Sequence, residues 1–292
     1  MKIGLSLSIG YLAGRPASKA DKCWLSILGP ASQGLSWLKS MGIGWIELHT
    51  VYAQTPSYEI TKSVEAVFQA ELRLTAHIWL PTFAETNCLP DNILLLDRIL
   101  RAGNMEYREV PVVVHGHKPS GFPSLQEAER QTVADIQNLF RCLRKLDSPL
   151  VPVFELCRRK DDAPIGNTYQ ETCKILDLIH PTEPGICWDM GHSWANYLHD
   201  KQEIMPPEEF LDRVAHTHIH DIGPGDRTHG PLGYTGITIE DYVTALVCTG
   251  YEGVYNLELS PTRWTGFTTG QSRKSVEKSI IVLQEVVSRT AI

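Results

Sequence analysis

The run HTHIHD, residues 216 to 221, sets three imidazoles at alternate positions. A helix would scatter them around its circumference. A strand turns His216, His218 and His220 to one face, because strand side chains alternate. Imidazoles gathered in this way bind metals or handle protons. Other short β-rich runs end in similar chemistry. WIELHT carries Glu47 and His49, LRLTAHIW carries His77, and VPVVVHGH carries His115 and His117. LVPVFEL ends near Glu155, GICWDM near Asp189, and GVYNLELS near Glu258. A single residue of this kind is readily explained as a hydrogen-bonded core group. Several carboxylates at one mouth are not, since repulsion and desolvation would be costly without a cation. In WDMGH, Asp189 and His192 are three residues apart, so one turn can offer both to one site. The alternative is a helix start capped by Asp189 or Ser193.

These residues need a frame that aims them together. The β-rich runs lie at 2–8, 45–50, 72–79, 110–117, 150–156, 185–190, 214–221 and 253–260. Helical stretches are expected near 20–40, 58–70, 91–104, 124–146, 168–180, 206–213, 238–249 and 272–289. The clearest begins at Ser124, with Glu127 at the capping-box spacing. Gly42, Gly103 and Gly250 follow helical stretches, where a left-handed cap is favourable. Eight strand-then-helix units imply a parallel sheet and, at this length, a closed (β/α)8 TIM barrel forming one domain over residues 1–292. A doubly wound open sheet is the competitor, but SLSIGYLAG is no phosphate-binding GxGxxG loop. The Gly/Pro-rich stretch 220–236 is expected to be a βα loop.

Composition narrows the function. The 292 residues carry a net charge of −7, which gives no global attraction to nucleic acid or anionic membrane. The seven cysteines form no CxxC pair, as expected of reduced thiols in a cytoplasmic protein. The alternating start MKIGLSLSIGYLAG reads as a strand rather than a targeting segment, and no apolar run suggests a membrane span.

The combination of Glu155 in VPVFEL, the Asp-x-x-His of WDMGH, the His-x-x-Asp of HIHD and Glu258 in NLELS resembles the xylose isomerase-like TIM-barrel superfamily. That superfamily includes sugar and sugar-phosphate isomerases and epimerases, and the endonuclease IV type of apurinic-site nuclease. The resemblance runs over nearly the whole chain. It implies a divalent metal held by Glu155, Asp189, His218 and Glu258, with Glu155 and Glu258 as the catalytic proton-transfer groups. The oxygen-rich set favours Mn²⁺ or Mg²⁺, with Zn²⁺ or Co²⁺ possible. The implied reaction is proton transfer through a metal-stabilised enediolate, in an isomerase, epimerase or related lyase. The implied partner is a small sugar or polyol derivative, without nucleic acid or membrane; a homo-oligomer is an open possibility.

Substrate contacts are expected from His192, His220, His115, His77, Arg227 and Trp79. The rival reading is a multinuclear zinc phosphoester hydrolase, with His77, His115, His192, Asp226 and His229 as additional metal ligands. The sequence departs from that branch at Gly116 in HGH, where its motif has proline, and at Thr228 in DRTH, which shifts His229 by one residue. A metal-binding barrel without catalysis is the third reading. Within HTHIHD, His216 is expected to buttress the shell, His220 to meet substrate at the mouth, and Asp221 to fix the following loop. Lys118 and Arg263 are further anion contacts to consider. Trp79, Trp188 and Trp264 are expected to form an apolar wall at the site, and Trp24, Trp37 and Trp45 to pack helices on the barrel. Cys157 and Cys187 are read as buried packing. Specificity is expected to reside in loops 11–18, 79–90, 157–167 and 222–236.

Overall fold

The computed structural model describes residues 2–79, 91–102, 109–179 and 185–290. Cys88, Gly103, loop positions 80–90 and the helix ends expected at 103–104 and 180 lie outside them. Eight parallel strands close into a barrel: β1 (Ile3–Ser8), β2 (Trp45–Val51), β3 (Arg73–Ile78), β4 (Val110–Val114), β5 (Leu150–Glu155), β6 (Gly185–Asp189), β7 (Val214–Ile219) and β10 (Tyr255–Leu257). The remaining pair, β8 (Asp221–Gly223) and β9 (Arg227–Gly230), forms an antiparallel hairpin. It folds inside the stretch expected to be a plain loop. Among the described residues no helix is long and apolar enough to cross a membrane.

The helices are α1 (Ile9–Leu12), α2 (Lys19–Leu28), α3 (Ala31–Ser40), α4 (Ser57–Gln69), α5 (Asp91–Ala102), α6 (Leu125–Lys145), α7 (Tyr169–Ile179), α8 (Met190–Asp200), α9 (Glu208–Leu211), α10 (Ile239–Cys248) and α11 (Thr269–Thr290). The stretch expected as one helix over 20–40 is two, divided at Gly29-Pro30, because Pro30 cannot continue the hydrogen-bond ladder. Ser124 caps α6 by accepting from the Glu127 amide, as its spacing suggests. Gly42 and Gly250 adopt positive φ after α3 and α10.

Strand parity divides the barrel into two environments. Outward residues such as Phe154 and Trp188 join the large apolar layer beneath the helices. Inward, Val113, Val153 and Cys187 form a small apolar plug. Ser6, Glu47, Thr75, His77, His216, His218 and Asn256 are also buried. Trp188 donates its indole N–H to Ser193 Oγ (2.8 Å) and packs on Phe210 and Tyr242. Odd–even alternation with Asp189 thus removes Trp188 from the expected apolar wall. Trp45 shares parity with Glu47 and is stacked by Arg73 at the opposite barrel end. It closes the bottom of the barrel rather than packing helices on it.

Candidate active site

The site begins with one buried carboxylate. Glu47 Oε1 accepts from Ser6 Oγ at 2.7 Å and Asn256 Nδ2 at 3.2 Å. Its Oε2 lies 3.0 Å from His216 Nε2 and 3.1 Å from His218 Nε2. Burial alone would raise the pKa of Glu47, but His218 and His216 outweigh it and hold it well below the usual carboxylate range. A buried anion satisfied in this way is a rigid fixture. His216 therefore does support the shell, but through Glu47 rather than through one of the expected ligand carboxylates.

The bond to Glu47 turns His218 Nδ1 toward the barrel mouth. There Nδ1 lies 3.5 Å from Glu155 Oε2 and 3.4 Å from Glu258 Oε2. His218 Nδ1 is buried without a protein hydrogen bond. Donors sharing one cation at ordinary ligand lengths stand roughly 2.8–3.6 Å apart, and both contacts of His218 Nδ1 lie in that range. Despite burial, the carboxylates of Glu47, Glu258 and Glu155 raise the proton affinity of His218 well above the usual imidazole range. A proton and a divalent cation are alternative neutralisers of the same charge.

Asp189, the fourth expected ligand, is paired in register with His218 but engages other imidazoles. Its Oδ1 caps α8 by accepting from the His192 amide at 2.7 Å, and its Oδ2 lies 2.9 Å from His192 Nδ1. The helix cap and the acid–imidazole pair, posed as alternatives by the sequence, coexist. His192 Nδ1 is also 3.5 Å from Glu155 Oε1, so Asp189 is one imidazole away from the central group.

A second group shares Glu155. His115 Nε2 lies 2.7 Å from Glu155 Oε2, and His77 Nε2 lies 3.1 Å from His115 Nε2. His77 Nδ1 faces Glu258 at 3.6 Å, and His49 Nδ1 faces the same oxygen at 3.3 Å. His77, His115 and Glu155 are close enough to hold a metal ion, as are Asp189, His192, His220 and His229.

The hairpin supplies donors of a different kind. The His229 amide donates to His220 Nδ1 at 3.0 Å, which leaves the ring hydrogen on Nε2, 3.1 Å from Asp189 Oδ1. His220 is fully buried and stacked on His229. It is a support for Asp189, not a free group at the mouth. Burial pushes His229 down to about 3, so its ring is neutral. Arg263 Nη1 donates to its Nδ1 at 2.7 Å, placing the ring hydrogen on Nε2, 3.1 Å from Glu258 Oε2. Asp226 sits at the exposed hairpin tip, 3.0 Å from His199 Nε2. His199 belongs to α8, the helix that the sequence offered only as an alternative start capped by Asp189 or Ser193. Asp221 fixes the loop as expected, accepting from Ile222, Tyr234 and Thr235 amides.

The central group floors a cavity of roughly 580 Å³ whose walls include His49, Tyr52, Trp79, Lys118, Arg158 and Arg227. His77, His115, His192, His229, Glu155 and Glu258 all line it. Trp79 stands edge-on over His115 at 5.1 Å. Trp264 is buried beneath the hairpin, donating to the His229 carbonyl at 2.9 Å, so it is no part of the cavity wall. Burial raises the Cys157 and Cys187 thiols, which keeps them protonated packing groups. Glu47 and His49 were visible as strand-end residues, yet their roles required the cross-barrel geometry. The clustered donors in an open cavity make up a metal-dependent catalytic pocket.

Comparison with known proteins agrees with this architecture. Residues 35–285 match the family model described as xylose isomerase-like TIM barrel. No curated protein sequence matches. Among solved structures, D-psicose 3-epimerase from Clostridium cellulolyticum H10 superposes with a TM-score of 0.65 at 11% identity, covering 100% of this chain and 99% of its own. D-allulose 3-epimerase from Methylomonas sp. gives 0.63 at 16% identity, covering 98% of each chain. A xylose isomerase domain protein from Alicyclobacillus acidocaldarius gives 0.63 at 13%, covering 99% of each. At these identities the structures establish the shared fold, while the family match spans most of the sequence. The chain belongs to the xylose isomerase-like TIM-barrel family.

Proposed function

We propose that this protein is a divalent-metal-dependent isomerase or epimerase of a sugar or polyol derivative, acting by proton transfer beside a carbonyl. One observation carries the reading. Glu155, at the end of β5, and Glu258, just after β10, approach the same atom, His218 Nδ1, at 3.5 and 3.4 Å. Glu155, His218 and Glu258, with Asp189 beside them, would hold Mn²⁺ or Mg²⁺; the many nearby imidazoles also suit Zn²⁺ or Co²⁺. The bound metal would supply Lewis acidity, polarising a carbonyl and favouring the enediolate. One carboxylate removes the proton next to the carbonyl, and the other delivers a proton to the opposite face. Inversion at that carbon gives an epimer; delivery to the former carbonyl carbon, with the hydroxyl proton passing to the other oxygen of the enediolate, gives an isomer. His192, its Nδ1 held by Asp189, presents Nε2 as the ring nitrogen for a substrate oxygen.

A second reading is a multinuclear phosphoester hydrolase. It is favoured by the His77–His115–Glu155 group, with contacts of 2.7 and 3.1 Å. Two features weigh against it: Asp226 is taken by His199, and Arg263 occupies His229 Nδ1. Elemental analysis of the purified protein separates the readings. About one Mn²⁺ or Mg²⁺ per chain supports proton transfer, and two or three zinc ions support hydrolysis. No retained metal after supplementation overturns both.

A further inference from the structure

We infer that the substrate carries an anionic group, a phosphate monoester or carboxylate, held over the β4–β5 side of the cavity and the hairpin. This rests on reading the cavity as a polyol-derivative site. Lys118, Arg158, Lys160, Arg227 and Arg263 line it, against Glu155 and Glu258 as its acidic lining. Those two acids form the floor, where a divalent ion would neutralise them. Such an excess of positive charge stands out in a chain whose net charge is −7.

The neighbouring acids leave much of this charge available. Asp226 is 4.0 Å from Arg158 and also pairs with His199. Asp162, near Lys118, accepts from the Ser120 amide and hydroxyl at 2.8 and 2.7 Å. Arg227 is exposed and makes no ion pair among the described residues. Arginine forks match the oxygens of phosphate and carboxylate, and their charge strengthens each hydrogen bond. The facing wall, His49, Tyr52 and Trp79, is uncharged and aromatic. His49, Tyr52 and Trp79 lie on or after β2 and β3, whereas Lys118, Arg158, Lys160 and Arg227 follow β4 and β5 or lie on the hairpin, an asymmetry that would orient a short polyol with its anionic end toward the hairpin. A volume of roughly 580 Å³ suits a small molecule rather than a duplex, which needs an extended basic face.

Calorimetric titration of the metal-loaded protein tests this with inorganic phosphate, D-fructose 6-phosphate, D-glucuronate and D-fructose as probes. The phosphate ester or the uronate should bind about tenfold or more tightly than D-fructose. The better-bound probe tells phosphate from carboxylate. The preference should weaken with added salt. It should disappear in the surface variant K160A/R227A and survive in R158K/R227K, which keeps the charge. Equal affinity for D-fructose and both charged probes would overturn the inference, as would full retention of the preference in K160A/R227A. Tight binding of an abasic-site duplex, with no charged small probe bound, would also overturn it. Hydrogen exchange on bound probes reports separately on the epimerase reading. Charged probes that bind without exchange would sink that reading and leave the anion site standing.

Discussion

Glu47 accepts from His218 Nε2 at 3.1 Å, and this one bond decides which nitrogen of His218 faces the catalytic cavity. The hydrogen on Nε2 leaves Nδ1 as the nitrogen toward Glu155 and Glu258, where it would offer its lone pair to a bound ion. Carboxylate–imidazole–metal arrangements owe their orientation and ligand basicity to such outer partners.

Glu47→Gln should therefore lower metal affinity about tenfold to a hundredfold while the barrel still folds. Competition with a chromogenic chelator measures the affinity, and circular dichroism checks the fold. Unchanged affinity in a folded variant would mean that Glu47 does not set the His218 ring.

His218 and His220 should differ sharply. His218→Ala removes a direct ligand and should abolish tight metal retention. His220→Ala removes a donor to Asp189, 3.1 Å away, and should cost about tenfold. Metal content after gel filtration checks both; equal losses would show that the two imidazoles are misassigned.

Metal removal should destabilise the barrel, because the ion binds the folded chain. A ligand at a thousandfold excess over its Kd contributes about 4 kcal/mol. For a domain of this size that lowers Tm on the order of 10 °C on chelation. Differential scanning calorimetry with and without chelator measures the shift. An unchanged Tm would contradict a tightly held ion.

Asp221 accepts from the Tyr234 and Thr235 amides at 2.8 and 2.9 Å. Replacing it by Ala removes the charged acceptor of these part-buried bonds at a cost of about 1–3 kcal/mol. It should also loosen the hairpin that brings Arg227 and His229 to the cavity. KM should rise while metal content holds, and steady-state kinetics with elemental analysis would show it. Loss of metal with KM unchanged would place Asp221 in the metal shell instead.

The barrel was legible in the sequence because alternation and strand–helix succession are local signals. Glu155, Asp189, His218 and Glu258 all fall at strand ends, as their parity implied. What parity cannot supply is the partner across the barrel. Glu47 and His216 are 169 residues apart in sequence, yet His216 Nε2 lies 3.0 Å from Glu47 Oε2. Asp226 was misplaced because α8 was legible only as an alternative helix start and its reach to His199, which captures Asp226, was not; Asp189 caps that helix and is a site group as well. The Trp188 error was avoidable, since its parity is opposite to that of Asp189. The hairpin was hidden because Gly223, Pro224 and Gly225 signal a turn equally well in a loop or between strands.

The central claim is proton transfer by Glu155 and Glu258 next to a metal-polarised carbonyl. The most direct measurement follows deuterium entering ketoses and their phosphates from D₂O by NMR, with the metal-loaded protein. Exchange should occur at the carbon next to the carbonyl, cease on chelation, and fall by roughly 10²–10⁴-fold in Glu155→Gln and in Glu258→Gln. Wild-type exchange in both metal-loaded variants would contradict the account.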